Sequence, residues 1–293
     1  MATRGHLTAG DLSPIQYGTE ITYGTAVNTG NVYGEVAADG NFQPTDNPHP
    51  HLAFKYGQRT FNQANYVTQQ HEAGYQAVFE AADDDGMLLD LLGFAHATSG
   101  NALPSRTVAI RAKEASNAIK YVGCKTEELV IRADEPGEVV KFEETVFASY
   151  SEAASVSVVQ TPTPAIQWTG GVILGNSTCY PQSFKLTVRN NLGRVYGYDN
   201  THGSITKALL EGREEIDFEM DLWMEDFSYL LSNMTNATVS GTVVIRLGIA
   251  HPVDITLSGL SYVADGSNTA LVQDKQKQTV RFRAQFLSKA AVA

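Results

Sequence analysis

The chain has 293 residues, a formal net charge of −11 and 43% hydrophobic residues, which suits one large domain or two ordinary ones and excludes a disordered chain. The acidity argues against a basic surface that grips phosphates, but it is compatible with a protein that lets DNA pass without holding it. Two cysteines, Cys124 and Cys179, are too few for a disulfide framework, so we expect unpaired thiols in or near the core. No segment predicts a signal peptide or a membrane span.

Charged residues make up only 18% of the chain, and Thr, Ser, Asn and Gly fill the gap. Thr, Val, Tyr and Phe favour strands, while Gly and Asn favour the turns between them. The composition therefore predicts a β-rich protein.

Residues 1–50 read as irregular. At the end of this stretch, each proline of the segment 47–50 restricts the residue before it to an extended conformation. We expect either an arm that orders against a neighbouring subunit or a disordered tail. His49 and His51 could place two imidazoles on one side of this segment, but a metal site needs more ligands and none is obvious nearby.

Residues 51–150 read as a first unit made of strands and one short helix. A long polar stretch covers 57–74, and a hairpin turn is predicted at 134–137. Asp83, Asp84 and Asp85 precede the apolar run 87–93, which predicts a helix with acidic residues at its N-terminus in preference to a site for a hard cation. The strands predicted here are 52–56, 75–81, 108–111, 120–133 and 139–147.

Residues 151–165 are rich in Ser, Ala, Thr and Pro and predict a linker. Residues 166–293 then repeat the order of the first unit, with a polar stretch at 193–212, a short helix at 226–231 and a turn at 265–266. The strands predicted in this second unit are 183–189, 215–224, 242–247, 254–263 and 279–287.

An internal repeat underlies this shared order. Phe79 and Phe218 lie in similar segments 139 positions apart, and the apolar positions of 140–147 largely coincide with those of 280–287. A duplicated domain matters because fusing two copies of a subunit halves the number of chains that close a ring.

An acidic stripe follows the strand at 215–224. Its members share one face of the alternating pattern, continued just beyond the strand, and they are Glu215, Asp217, Glu219, Asp221 and Glu225. The stripe is compatible with the carboxylates of a glycosidase, with an ordinary solvated strand face, or with a charged surface facing something that it must not bind. The phosphate-binding, dinucleotide-binding, nucleophile-elbow and zinc-protease motifs are absent from the sequence, so we expect a protein that is not an enzyme and carries no cofactor.

The segment 15–26 resembles the opening of tail tube proteins from long-tailed viruses of bacteria and archaea. These often begin with a Gly-x-Glu-x-x-Tyr-Gly-Thr phrase, matched here by Gly18, Glu20, Tyr23, Gly24 and Thr25. The helix phrase at 88–93 and the stretch 184–191 are also similar to that family.

The resemblance implies two tandem β-sandwich or barrel-like domains, each with a short flanking α-helix, and an extended N-terminal arm. It implies stacked rings, with three chains forming a pseudo-hexamer, in which the arm and the polar stretches 57–74 and 193–212 are candidates for contacts between rings. The implied partners are further copies of the chain, the tail-tip initiator, the tape measure and tail terminator proteins, and viral DNA that passes through the lumen of a virion tail.

A lumen of this kind should repel or ignore phosphates. We therefore expect acidic strand residues to line it, with Glu143, Glu144, Glu219 and Asp221 as candidates. The inner tube of a contractile injection system is the nearest alternative. A carbohydrate-binding or adhesin-like sandwich is a further one, although its aromatic platform would have to come from Trp168 and Trp223, which lie in different segments.

Overall fold

The computed structural model describes residues 14–37, 42–45, 47–52, 66–97, 102–111, 118–157, 165–175, 177–199, 201–223, 238–239, 241–263, 268–270 and 276–292. Over these residues the chain is mainly β, as predicted, with one helix, α1 (Asp85–Ala95). The strands are β1 (Ile15–Thr19), β2 (Asn31–Val36), β3 (Phe42–Pro44), β4 (Asn47–Leu52), β5 (Tyr66–Ala81), β6 (Arg106–Arg111), β7 (Ala118–Ala133), β8 (Lys141–Ala148), β9 (Tyr150–Ala154), β10 (Val172–Leu174), β11 (Ser177–Cys179), β12 (Ser183–Arg189), β13 (Gly193–Asp199), β14 (Gly203–Leu210), β15 (Glu215–Trp223), β16 (Thr238–Val239), β17 (Val243–Leu247), β18 (Val253–Ser258), β19 (Leu260–Tyr262), β20 (Asn268–Ala270), β21 (Gln276–Ala284) and β22 (Phe286–Ala291).

A long antiparallel sheet runs through both halves of the chain in the order β3–β5–β8–β7–β12–β15–β21–β19. We call it the central sheet. In the described pairings β3 and β4 pair only with β5, β16 pairs only with β19, and β20 pairs only with β21, so each end of the sheet is open.

The first half closes into a barrel because β7 belongs to two layers. Its second part pairs with β8 and β12, while its first part pairs with β6 and β9. The register shifts between Thr126 and Glu128, and Gly123 has a φ of 70°, so a bulge and a glycine bend the strand where it changes layer. Strands β6, β1 and β2 then return to β5.

Aromatic residues fill this barrel. Tyr17 and Tyr33 stack with ring centroids 4.0 Å apart, and Phe79 and Phe142 stack at 5.7 Å. All four are no more than 1% exposed, and their burial accounts for much of the apolar area that stabilises the first half.

The second half contains a second sheet, β11–β10–β17–β18–β22. Its buried residues belong to the same hydrophobic cluster as those of β12, β15 and β21 of the central sheet. The chain switches between the two sheets at two neighbouring corners, one at Gly259 with φ 64° and one at Gln285, and the Gln285 N–H donates to the Ser258 carbonyl at 3.0 Å. Such corners let one chain contribute to both layers of a sandwich.

Helix α1 confirms the helix predicted from the acidic start and the apolar run. Asp84 is its N-cap and accepts from the Met87 N–H at 3.0 Å. Asp83 is 4% exposed and accepts from the N–H groups of Ile249 and Ala250 at 3.1 and 3.0 Å. Asp85 accepts from the Gly86 N–H at 2.9 Å, so all three aspartates are engaged by backbone donors, which explains the cluster without a cation. The helix predicted at 226–231 and the turn at 265–266 lie outside the described residues.

Three predictions of irregular structure were wrong. Residues 14–37 of the expected arm contribute β1 and β2 to the barrel, and residues 66–74 of the first polar stretch belong to β5. Most of the second polar stretch is the hairpin β13–β14, which packs on the first half through Arg194, whose guanidinium donates to the Ala73 carbonyl at 2.9 Å. Strands β1, β2 and β5 pair with distant segments, which local composition could not predict, whereas β13 and β14 pair locally with each other.

Residues that the internal repeat makes equivalent occupy equivalent positions in the strand pairings of the central sheet. Phe79 lies opposite Phe142, and Phe218 lies opposite Phe282. The flanking strands agree: Val130 and Ile131 of β7 oppose Glu143 and Phe142, while Ser261 and Tyr262 of β19 oppose Arg283 and Phe282. The segments β3–β5–β8–β7 and β12–β15–β21–β19 thus have the same strand order, and the register of β5 with β8 agrees with that of β15 with β21.

Candidate functional site

The side of the central sheet that faces away from the core forms one continuous polar surface, which we call the polar face. Alternation along each strand places apolar residues in the core and polar residues on this face, as in β8, where every second residue is buried. The charged members that we place on it, among the side chains that the structure describes, are Glu80, Glu128, Arg132, Lys141, Glu143, Lys185, Arg189, Glu215, Asp217, Glu219, Asp221, Arg281 and Arg283.

The polar face is nearly neutral rather than strongly acidic. Seven carboxylates and six basic groups, the charged members named above, give it a net charge of −1, although the whole chain carries −11. Acidic and basic residues lie opposite each other on neighbouring strands, for example Glu219 opposite both Lys185 and Arg281. Opposite charges at directly opposed positions attract each other.

Every arginine on the polar face has a carboxylate partner. Arg132 pairs with Glu143 at 2.6 Å, and Arg281 pairs with Glu219 at 2.7 Å. Arg283 makes two bonds to Asp217, at 2.8 and 3.2 Å, and Arg189 donates to Glu128. The hydrogen bonds to their carboxylates raise the pKa of Arg283 and of Arg189, so these groups stay charged and paired.

Three of the four acidic residues predicted for a lumen lie on the polar face: Glu143, Glu219 and Asp221. Asp221 accepts hydrogen bonds from Ser183 Oγ at 2.8 Å and Thr279 Oγ1 at 2.6 Å. Glu143 lies on the first-half strand β8, and the other two lie on β15 in the second half.

The prediction for Glu144 was wrong. Because Glu144 follows Glu143 directly in β8, its side chain points to the opposite side of the sheet, where it is 2% exposed inside the barrel. It forms an ion pair with Arg106 and accepts from Thr126 Oγ1 at 2.8 Å and from Tyr75 Oη at 3.1 Å. A residue enclosed in this way cannot face a lumen.

The acidic stripe proposed as a glycosidase set is already occupied. Asp217 and Glu219 bind arginines, and Asp221 binds two hydroxyls. Glu225 lies outside the described residues. These three carboxylates therefore lie along one strand as partners of protein groups.

The residues that carry the family resemblance are structural. Glu20 is 7% exposed and accepts from the backbone N–H of Gly24 and Gly123, at 3.0 and 2.8 Å. It also accepts from Ser105 Oγ and Thr107 Oγ1, at 2.9 and 2.8 Å. The phrase around Glu20 thus joins the turn at 21–24 to β6 and β7.

The basic residues of the polar face are what sequence reasoning missed. The signal for them was present, because Thr279, Arg281 and Arg283 alternate with buried residues in β21. What the sequence could not provide was the strand neighbour of each arginine, and so the pairing.

Other candidate groups find structural explanations in the described part of the chain. Cys124 is buried and Cys179 half-buried, both as free thiols, as predicted. Trp168 is 0% exposed and packs edge-on against Phe184 at 4.8 Å, so it cannot serve as a sugar platform.

No three His, Cys, Asp or Glu residues are placed to hold a metal ion within the described ranges. His49 and His51 belong to β4, and their side chains lie outside the description. No helix among the described residues is long and apolar enough to span a membrane.

Comparison with protein-family models finds no match for the chain, and comparison with curated proteins finds no significant match either.

Proposed function

We propose that the protein is the structural subunit of a viral tail tube, built from two tandem copies of one domain. It self-assembles into stacked rings, with three chains making a pseudo-hexamer, and the polar face lines a channel through which DNA passes during ejection. The proposal includes a place in the virion tail and contacts with the tail-tip initiator, tape measure and tail terminator proteins.

The observation that supports this proposal most directly is the repeated strand order of the central sheet. Four strands in the order β3–β5–β8–β7 are followed by four in the order β12–β15–β21–β19, and the register of β5 with β8 agrees with that of β15 with β21. This order supports the proposal that two copies of one sheet stand side by side in the same direction. The joint between them is the β7–β12 pairing, from Glu128 opposite Arg189 to Ala133 opposite Phe184.

The β7–β12 joint supports ring formation, because the two ends of the central sheet correspond to the two strands that meet at the joint. One end of the central sheet has the β3 edge, which corresponds to β12, and at the other end β19, which corresponds to β7, carries the two-residue strand β16 along its outer side. Pairing this end of one chain with the β3 edge of the next would continue the sheet as the internal joint does, with β16 between β19 and β3. Repeated head-to-tail contacts of this kind close into rings, and closure removes the edges that would otherwise invite aggregation.

The polar face supports the role as a DNA conduit. It runs across the β7–β12 joint without interruption, since Arg132 and Lys185 lie opposite each other there. Its near-zero net charge, with every arginine paired, leaves few groups that could displace counterions from DNA and hold it.

Negative-stain electron microscopy and light scattering of the purified protein test the proposal. We expect annular particles with a central channel and six similar lobes, and a mass of three chains of 31.7 kDa, about 95 kDa. The edge variant Gln43→Lys, which adds a charge to an exposed position of β3, should lower the fraction of rings. Gln285→Lys, at the exposed corner between β21 and β22, is the matched control and should not. The proposal would be contradicted if the protein stayed monomeric at all protein and salt concentrations, even with tail-tip proteins present to nucleate assembly.

A further inference from the structure

The pairing of arginines on the polar face is more complete than fold stability requires. The four guanidinium groups of Arg132, Arg189, Arg281 and Arg283 each bind a carboxylate, although their side chains are 32–48% exposed. We call their partners Glu128, Glu143, Asp217 and Glu219 the masking carboxylates. Exposed ion pairs of this type contribute little to stability, so stability alone is a weak reason for the arrangement.

Without these carboxylates the polar face would be a DNA-binding surface. Arginine presents a planar set of donors that matches phosphate oxygens as well as carboxylate oxygens. Four free arginines together with Lys141 and Lys185 on one flat sheet would form a basic patch of the kind that binds the DNA backbone.

We infer that the masking carboxylates occupy the arginines in place of phosphate, and so keep the polar face from binding duplex DNA. The inference rests on the proposed function, because it names how the wall of the conduit treats its cargo. A phosphate must displace a bonded carboxylate before it can bind an arginine, and the carboxylate left free would repel it. The arginines in turn keep the carboxylates from making the wall strongly negative.

The test replaces the four masking carboxylates by their amides in the variant Glu128→Gln/Glu143→Gln/Asp217→Asn/Glu219→Gln. This changes the charge of the polar face from −1 to +3 and the formal charge of the chain from −11 to −7. Binding to a fluorescent 30-base-pair DNA is measured by anisotropy against salt. We expect a Kd on the order of 10⁻⁵ M at 50 mM salt, and a slope of log K against log salt of about −3 to −4. The unchanged protein should not bind.

A matched control removes four carboxylates elsewhere: Glu135→Gln/Glu138→Gln/Glu152→Gln/Asp254→Asn. It has the same formal charge of −7, and two of its changes release basic groups away from the polar face, Lys120 and Arg246. We expect no binding from it. Adding Arg281→Gln and Arg283→Gln to the test variant should weaken its binding at least fivefold, which would identify the released guanidinium groups as the contacts.

Equal DNA binding by the test and control variants, or no binding by a folded test variant, would overturn the inference. Far-ultraviolet circular dichroism and thermal unfolding establish that each variant is folded. These measurements use the soluble chain and do not depend on rings. A failure of the proposed function would instead be seen as absence of rings in the unchanged protein, whatever the DNA result.

Discussion

At the scale of single residues, Glu143 and Glu144 show how much one position along a strand decides. Glu143 is on the polar face and pairs with the half-exposed Arg132, whereas Glu144 is enclosed in the barrel with Arg106. Burial, the largest effect, acts to lower the pKa of Arg106, but the charge of Glu144 together with Tyr33, Tyr75 and Cys124 raises the pKa overall. The Thr126 hydroxyl accepts from Arg106 and donates to Glu144, and so joins the two side chains.

Replacing Glu144 by Gln should destabilise the fold by about 3–5 kcal/mol, because it leaves the charge of Arg106 buried without a counter-ion. The neighbouring change Glu143→Gln is the control and should cost less than about 1 kcal/mol. Urea unfolding followed by circular dichroism measures both.

The double variant Arg106→Met/Glu144→Gln should recover part of the loss, since it no longer buries a charge. Equal effects of Glu143→Gln and Glu144→Gln would show that the two carboxylates have similar surroundings, contrary to the placement described above.

At the scale of elements, α1 and β22 meet through one lysine. Lys289 Nζ donates to the carbonyl of Leu89 in α1, and the amine occupies the space over Gly93, where a Cβ atom would lie only 2.6 Å from it. Burial lowers the pKa of Lys289 to about 8, although Asp90 acts in the other direction.

This lowered pKa predicts a stability that depends on pH. The unfolded lysine titrates near 10.4, so between pH 8 and 10 the unfolded chain binds more protons than the folded one at this site. The contribution of Lys289 to stability should therefore rise with pH across that window and be constant below it. Comparison with Lys289→Met isolates it: the difference in unfolding free energy between the two proteins should shift in favour of the unchanged protein from pH 8 to 10. A difference independent of pH would contradict the burial of this amine.

The elements also show which parts of the fold can be predicted from sequence. Strand β12 was predicted with its observed bounds and β15 to within one residue. The alternation of apolar and charged residues that indicates them lies within the sequence of each strand itself. Strands β1 and β2 were missed, since their pairing with β6 and β5 depends on partners 43–93 residues away. The local alternation also assigned the acidic residues of β15 to one face of the strand. The choice between Glu143 and Glu144 depended on Arg106, which lies 38 residues before Glu144 in the chain.

At the scale of the whole molecule, the two halves share a single core. Buried residues from Ile15 to Leu287 belong to one hydrophobic cluster. Trp168 lies at the seam, where its backbone N–H donates to the Glu138 carbonyl at 3.1 Å and its ring contacts Phe184 of β12. The boundaries 51–150 and 166–293 expected for two repeats stay a prediction.

The shared core predicts a single cooperative unfolding transition. Trp223→Phe leaves Trp168 as the one tryptophan of the chain, so its fluorescence reports on the seam while circular dichroism reports on all strands. We expect the two signals to change at the same urea concentration, within experimental error. Two transitions, with the seam lost first, would instead favour halves that fold independently.

The joint between β7 and β12 affects the rate at which the proposed ring assembles and the protein concentration that assembly requires. A contact between two segments of one chain forms at an effective concentration set by the connection between them, typically millimolar for short links, whatever the number of molecules in solution. In a ring of three chains with six such joints, half are already made when the chain folds. Assembly then depends on the cellular concentration of the protein only through the remaining three, so scarce subunits early in infection could still complete a ring.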